Sequence, residues 1–139
     1  MKPEQNIVAA VLIDGDRILA GKRQAHRVGG CYYEFPGGKI EPGETPRQAL
    51  KREIKEELND EVILGPQIPA PADYEYSYAK IHIQFFCGRL LTNNLKHVAH
   101  TDLRWGTPDQ LAQLNWLPAS RPVIKWLQQQ DLRKITFDE

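Results

Sequence analysis

Apolar residues fall along this chain in two periods, and each period predicts a different kind of element. Residues 6–13, NIVAAVLI, form an apolar run of the length of a buried strand. Asp14-Gly15 follows as a tight-turn signal and RILAGKR resumes the apolar pattern, so a hairpin is expected. YYEFPGG reads as a short strand closed by Pro36 and two glycines. From 74 to 90, Tyr74, Tyr76 and Tyr78 alternate, as do Ile81, Ile83 and Phe85, which predicts two adjacent strands. LRWGTP adds a last short strand. PDQLAQL and RPVIKWLQQQ read as helices, the second at about 121–130, and the tail after Asp131 is expected to fray. Strands and helices mix without regular βαβ alternation. That pattern predicts an α+β fold around a mixed sheet, not a doubly wound one.

The clearest helix lies between. Thr45-Pro46-Arg47-Gln48 is a capping box with proline at the first helical position, and Asn59 tolerates the left-handed conformation that ends helices. Leu50, Ile54 and Leu58 recur every four residues and form an apolar stripe. At about 100° per residue, Glu53, Glu56 and Glu57 share an arc of about 100° beside that stripe. Three like charges there repel. One reading is a solvated face salt-bridged by Lys51, Arg52 and Lys55. The other is a cradle for a hard divalent cation, magnesium or manganese, which suits phosphate chemistry. The preceding PGGKIEPGE favours the cradle, because its glycines permit close backbone approach that a plain surface helix does not need.

Composition narrows the setting. A chain of 139 residues has the size of one domain, taken as residues 1–139. Lys plus Arg and Asp plus Glu both total 18, a balance that argues against an obligate polynucleotide binder. No apolar segment has the length of a membrane span, and the first residues lack the layout of a cleavable signal. Cys31 and Cys87 lack metal-site spacing and are expected as buried free thiols in a reducing cytoplasm.

The run from Gly38 through Glu44 to Arg52-Glu53-Ile54-Lys55-Glu56-Glu57 resembles the Nudix box, G-x5-E-x7-R-E-U-x-E-E-x-G-U with U aliphatic, over residues 38–60. Six positions of fixed identity match; Asn59 and Asp60 depart from its final glycine and aliphatic residue. The resemblance implies a mixed sheet sandwiched between helices. It also implies a magnesium-dependent hydrolase, with manganese as a possible substitute, acting on nucleoside diphosphates linked to a further moiety. By that analogy Glu53, Glu56, Glu57 and a backbone carbonyl near Gly37 hold metal, and Glu53 is either a ligand or the base. Arg52 would orient Glu53. Glu44 would buttress the loop, through a salt bridge to Arg52 or a catalytic role.

Beyond the box, AAVLIDGDRILAGKR and YYEFPGGKIEPGETP resemble the MutT-type branch, which cleaves oxidised or non-canonical nucleoside triphosphates to monophosphate and pyrophosphate. That branch implies roles in nucleotide-pool sanitation and DNA repair. It places Arg23, Glu34, Phe35, Pro36, Gly37 and Ser120 against substrate. In 8-oxo-guanine-specific members an asparagine stands where this chain has Ser120, and one hydroxyl cannot reproduce an amide's paired donor and acceptor. Pyrophosphatases of cytidine and 5-methyl-deoxycytidine triphosphates are therefore an alternative, and so is a mere helix cap at Ser120. ADP-ribose or dinucleoside polyphosphate hydrolysis and a non-catalytic nucleotide-binding module are the further alternatives. The branch's additional metal-binding glutamate falls at Ala99, with His97, His100 or Asp102 as neighbouring substitutes. Tyr74, Tyr76, Tyr78 and Phe85 are expected mainly as core with stacking on a base as the alternative, and Trp105, Trp116 and Trp126 as core. The implied partner is a small-molecule nucleoside triphosphate, with no polynucleotide and no membrane; monomer and homodimer stay equally open.

Overall fold

In a computed structural model that describes residues 2–25, 30–70, 73–95 and 100–137, the first apolar run becomes the centre of an 11-residue strand, β1 (Glu4–Asp14). Gly15 takes φ +66° in the turn that follows, and β2 (Arg17–Arg23) returns antiparallel with Ile13 opposite Ile18. Next come β3 (Tyr33–Glu34), β4 (Gly37–Lys39) and helix α1 (Pro46–Leu58). The strands β5 (Val62–Gln67), β6 (Asp73–Glu75), β7 (Lys80–Leu90) and β8 (His100–Gly106) complete the sheet. Helices α2 (Pro108–Leu111) and α3 (Arg121–Leu127) follow, with a 3₁₀ turn at Pro118–Ser120 before α3 and another at Leu132–Lys134.

The spine of the sheet runs β3-β2-β1-β7-β5, with β4 on β1, β6 on β7 and β8 on β2. β1 and β7 are parallel from Glu4–Lys80 to Leu12–Gly88, and the other pairings are antiparallel, so the sheet is mixed as expected. Strand alternation divides two cores. Val8, Ala10 and Leu12 join Leu50, Ile54 and Leu58 of α1 on one face. Ala9, Val11 and Ile13 join Phe85, Trp116, Val123 and Leu127 on the other. The apolar stripe of α1 is fully buried, worth about 1.5–3 kcal/mol per leucine or isoleucine. Its ends follow the sequence: Thr45 Oγ1 accepts from Gln48 N at 3.1 Å, Gln48 Oε1 accepts from Thr45 N at 3.0 Å, and Asn59 takes φ +54°. Among the described residues no helix is long and apolar enough to cross a membrane.

Four expectations change. Residues 62–67 form β5, which the sequence did not announce; Gly65 and Pro66 interrupt its pattern and its register shifts between Leu64 and Gln67. The tail after Asp131 packs rather than frays. Leu132 is buried, and Phe137 lies against Gly65 and under the Arg89 guanidinium at 5.4 Å. Cys87 is buried, but Cys31 is exposed at φ +71°. The helix near the C-terminus ends at Leu127, with residues 128–130 in a turn. Trp116 is buried, and Trp105 and Trp126 pack half-buried on the two cores.

Asp60, an acid where the motif has an aliphatic residue, is 3% exposed. Its Oδ1 accepts from Glu61 N at 2.8 Å and Thr92 N at 3.2 Å; its Oδ2 accepts from Asn93 N at 2.8 Å and Thr92 Oγ1 at 3.0 Å. Burial opposes the charge, but the amides of Thr92, Glu61 and Asn93 and the Thr92 hydroxyl outweigh it and hold the pKa below the usual value. A lowered folded pKa contributes stability above the unfolded value of about 3.9, and that stability is lost as pH falls through the folded value. Asp60→Ala should therefore cost about 2–4 kcal/mol in urea unfolding at pH 7, with the deficit shrinking below about pH 3.9. A cost under about 0.5 kcal/mol would remove Asp60 from the fold's supports.

Candidate active site

The glycines before α1 are strand, not loop. Gly37 pairs with Ala9 and Gly38 with Val8 on β1. A Cβ on Gly37 would stand 2.0 Å from the Val8 carbonyl oxygen, so only glycine fits the backbone there. At Gly38 a Cβ would stand 1.9 Å from Glu53 Oε2. Glu53 thus projects from α1 through the space the missing side chain leaves. The Pro36 carbonyl accepts from Ala10 N at 2.8 Å and fixes the approach.

Arg52 organises the acids around it. Its Nε and Nη2 donate to the two carboxylate oxygens of Glu44 at 2.8 and 2.9 Å, a bidentate fork. Nη1 donates to Glu53 Oε1 at 2.8 Å and reaches Glu56 at 3.4 Å, while Nη2 also donates to the Lys39 carbonyl at 3.1 Å. The hydrogen bonds from Arg52 and from the Glu41 amide lower the Glu44 pKa to about 2. Glu53 moves the other way: burial raises it, Arg52 opposes that, and the Glu56 charge adds to the rise. Arg52 itself is held firmly protonated by Glu44.

The three acids of the arc differ in depth because the arc meets the apolar stripe at one end. Glu57 is 8% exposed, and the side chains of Glu53 and Glu56 are 17% and 59% exposed. All supply hard oxygen, which fits magnesium or manganese in kind. Among the described residues no three His, Cys, Asp or Glu side chains converge on one point. In their place Arg52 bridges Glu53 and Glu56.

Glu53 lies at one end of a cleft of about 590 Å³. Its floor is the sheet face carrying Ile7, Ile81 and Ile83, and its walls include Arg23, Glu34, Tyr76, Tyr78 and Ser120. Arg23 Nη1 donates to Glu34 Oε1 at 2.8 Å. Tyr76 stacks on Tyr78 with centroids 5.4 Å apart, and its hydroxyl accepts from Ala119 N at 3.2 Å, tying the β6–β7 turn to the segment before α3. The turn is braced from the N-terminus, where Lys2 pairs with Glu75 at 2.6 Å and His82 sits between Glu4 and Asp73. The carboxylate at one end suits a hard cation, and the apolar trough with polar walls suits a planar ligand with a polar rim.

The chain matches the NUDIX domain over residues 3–127. It belongs to the Nudix hydrolase family. It is 34% identical over 119 residues to the CTP pyrophosphohydrolase of Escherichia coli (strain K12), covering 86% of this chain and 87% of that one. Over 58 residues it is 43% identical to the same organism's 8-oxo-dGTP diphosphatase, covering 42% of this chain and 45% of that one. The solution structure of the MutT protein of methicillin-resistant Staphylococcus aureus 252, a Nudix hydrolase, superposes with a TM-score of 0.74 at 30% identity. That match covers 94% of this chain and the whole of the other.

In this Nudix chain the cleft gathers Arg23, Glu34, Phe35, Gly37, Glu53 and Ser120. Glu44, Arg52, Glu56 and Glu57 stand behind Glu53 instead of lining it, and Pro36 is buried in the backbone approach. Phe35 is 4% exposed and packs on Phe85 and Trp116 as well. Tyr76 and Tyr78 line the cleft and Tyr74 is exposed on β6, against their expected place in the core; Tyr76 and Tyr78 follow β6 in the turn before β7. Phe85 is core, as expected, and also closes the cleft floor. Ser120 makes no side-chain capping bond, so the cap reading fails. Ala99 and His97 lie outside the described residues, as does the His100 side chain, while Asp102 accepts from Tyr33 and Arg104. Lys39 and Glu41 line the cleft without having been singled out, although PGGKIEPGE placed them beside Gly38.

Carboxyl ¹³C resonances followed through an acid titration should separate these glutamates. Glu44 stays ionised down to about pH 2 while Glu53 titrates above the ordinary glutamate value. The Glu44 contribution to stability is present above the unfolded pKa of about 4.5 and lost as pH falls toward 2. Ionised Glu53 has the opposite sign and costs stability as pH rises through its folded value. Arg52→Gln should return Glu44 toward about 4.5; a Glu44 that titrates there in the parent protein sinks the hub.

Proposed function

We propose that this Nudix hydrolase is a magnesium-dependent pyrophosphohydrolase of nucleoside triphosphates, oxidised or non-canonical ones foremost, releasing nucleoside monophosphate and pyrophosphate. The observation that carries it is Glu53 reaching the cleft through the gap at Gly38. The charged end of a nucleotide would then meet a cation held at that carboxylate while its base lies along the apolar floor. Glu53, Glu56, Glu57 and a carbonyl at Gly37 would hold the metal, with manganese able to replace magnesium. When bound, the metal neutralises polyphosphate oxygens and lowers the pKa of water.

The protein's own groups do the rest. Glu53 accepts the proton from the attacking water, or serves as ligand, and Arg52 aims it from the Glu53 Oε1 side. Glu44 acts through Arg52, holding the guanidinium in plane by its two-pronged bond, and is thus a positioning residue. Arg23, Glu34, Phe35, Gly37 and Ser120 face the nucleotide; Pro36 sets the backbone. A preference for cytidine or 5-methyl-deoxycytidine triphosphate is the second reading. It is supported by Ser120, whose hydroxyl stands where an amide would read 8-oxo-guanine, and by the likeness to the CTP pyrophosphohydrolase. The setting is one domain over residues 1–139, working on a cytoplasmic pool of small nucleotides apart from polynucleotide and membrane. Its neutral charge supports that setting.

The test is a panel of 8-oxo-dGTP, dGTP, CTP, dCTP, 5-methyl-dCTP, ADP-ribose and diadenosine polyphosphate with magnesium, assayed for phosphate with and without added pyrophosphatase. Pyrophosphate should come from a triphosphate, vanish with a chelator, and fall about 10²–10⁴-fold in Glu53→Gln. Gly38→Ala should lose a comparable factor at an unchanged KM, because its Cβ displaces the Glu53 carboxylate. Turnover by Glu53→Gln at the parent rate would sink the assignment of Glu53, and nucleotide binding without any turnover would make the chain a binding module.

A further inference from the structure

β1 contributes its odd-numbered residues to one face of the sheet: Ile7 to the cleft, then Ala9, Val11 and Ile13 to the core behind it. Gln5 is next in that phase. It is half-buried, its register partner on β7 is Ile81, and both line the cleft floor. A position governed by packing alone would be apolar here, as its cleft-floor neighbours are, because an unmatched amide loses water bonds without replacing them. Among the described residues no hydrogen bond engages the Gln5 amide. The other polar groups of the walls differ in kind. Arg23 and Glu34 are bound to each other at 2.8 Å, and Ser120 offers a single hydroxyl.

We propose that Gln5 is a specificity-determining residue, its side-chain amide supplying the paired donor and acceptor that reads the edge of the substrate's base. The inference rests on the nucleoside triphosphate reading above and deepens it. A base lying over Ile7, Ile81 and Ile83 presents adjacent donor and acceptor atoms at a place and in an order on its rim that differ from base to base, and a carboxamide fixed on β1 pairs best with one of them. The amide that Ser120 cannot provide is thereby supplied from the sheet floor and not from the loop before α3. Gln5 touches the base and takes no part in proton transfer. Its removal should alter the ranking of bases and leave the chemistry of the phosphate end intact.

Gln5→Leu keeps the size of the side chain and removes the amide. Asn6→Leu, exposed on the opposite face of β1, is the control for changes in the strand itself. kcat/KM is measured for CTP, dCTP, dGTP, 8-oxo-dGTP and dTTP with all three proteins. In a second arm, the matching nucleoside monophosphates and ribose 5-phosphate are titrated into ¹⁵N-labelled protein without metal, and the Gln5 side-chain amide resonance is followed. The ratio between best and worst base should contract about tenfold or more in Gln5→Leu, through KM, and hold in Asn6→Leu. The Gln5 amide should shift with the preferred monophosphate and stay fixed with ribose 5-phosphate. An unchanged ratio, or an equal loss on every substrate, overturns the proposal. Should no triphosphate turn over, the hydrolase reading fails by itself and the titration decides Gln5 alone: a base-dependent amide shift supports it, and no shift overturns it.

Discussion

The parallel pairing of β1 with β7 is the constraint on which the rest depends. It puts Val8, Ala10 and Leu12 with Phe86 against α1, and Ala9 and Val11 with Phe85 and Cys87 against α3. Both faces of β1 are buried through its middle, so a slip of one residue would exchange two complete sets of side chains. The cleft is the same face continued past the cover of the helices. Ile7, Ile81 and Ile83 are core by phase and cleft floor by position.

β1 also fixes the acidic end, by sterics. β4 packs so tightly on it that the Val8 carbonyl occupies the place of a Gly37 side chain, and Glu53 occupies that of Gly38. The helix is thereby held at a distance that brings one carboxylate through the strand. Like charges so placed repel, and Arg52 answers with bonds to Glu44, Glu53 and Glu56. The opposite shifts of Glu44 and Glu53 follow from that division. Glu44 receives a full fork, while Glu53 receives one bond, a buried setting and a like-charged neighbour.

What could be read in the sequence was whatever local order determines. Thr45 and Gln48 lie three residues apart and find each other inside one turn, and Asn59 needs only its own backbone to end α1. The hairpin at Asp14-Gly15 and the arc of three glutamates are local in the same sense. The unread parts depend on distant partners. Asp60 is satisfied by Thr92 and Asn93, more than thirty residues away, so in sequence it appears only as a break in a motif. β5 is hidden by Gly65 and Pro66, and the glycine is where Phe137 of the tail comes to rest. Alternation at Tyr74, Tyr76 and Tyr78 suggested a strand, but β6 ends at Glu75 and Tyr76 and Tyr78 lie in the turn before β7, where pairing with β7 and not local pattern decides the bounds. Gln5 escaped because a lone glutamine near a strand's start carries no signal until Ile81 is beside it.

The two ends of the cleft are therefore built from materials of different tolerance. At the acidic end the fit is backbone against backbone at Gly37 and backbone against the Glu53 side chain at Gly38, so any larger residue moves the helix or the carboxylate. At the other end the lining is largely side chains on a sheet whose hydrogen bonds are indifferent to them, closed by a turn that the bond from Ala119 to Tyr76 ties to the segment before α3. Replacing Gln5, Ser120 or Tyr78 changes the cleft lining and leaves the ladder between β1 and β7 in place. A fold so divided keeps its acidic end fixed while the lining of the other end can drift. The lining of that end is then set by a few side chains on the β1–β7 face and the segment before α3, and the acidic motif carries no information about it.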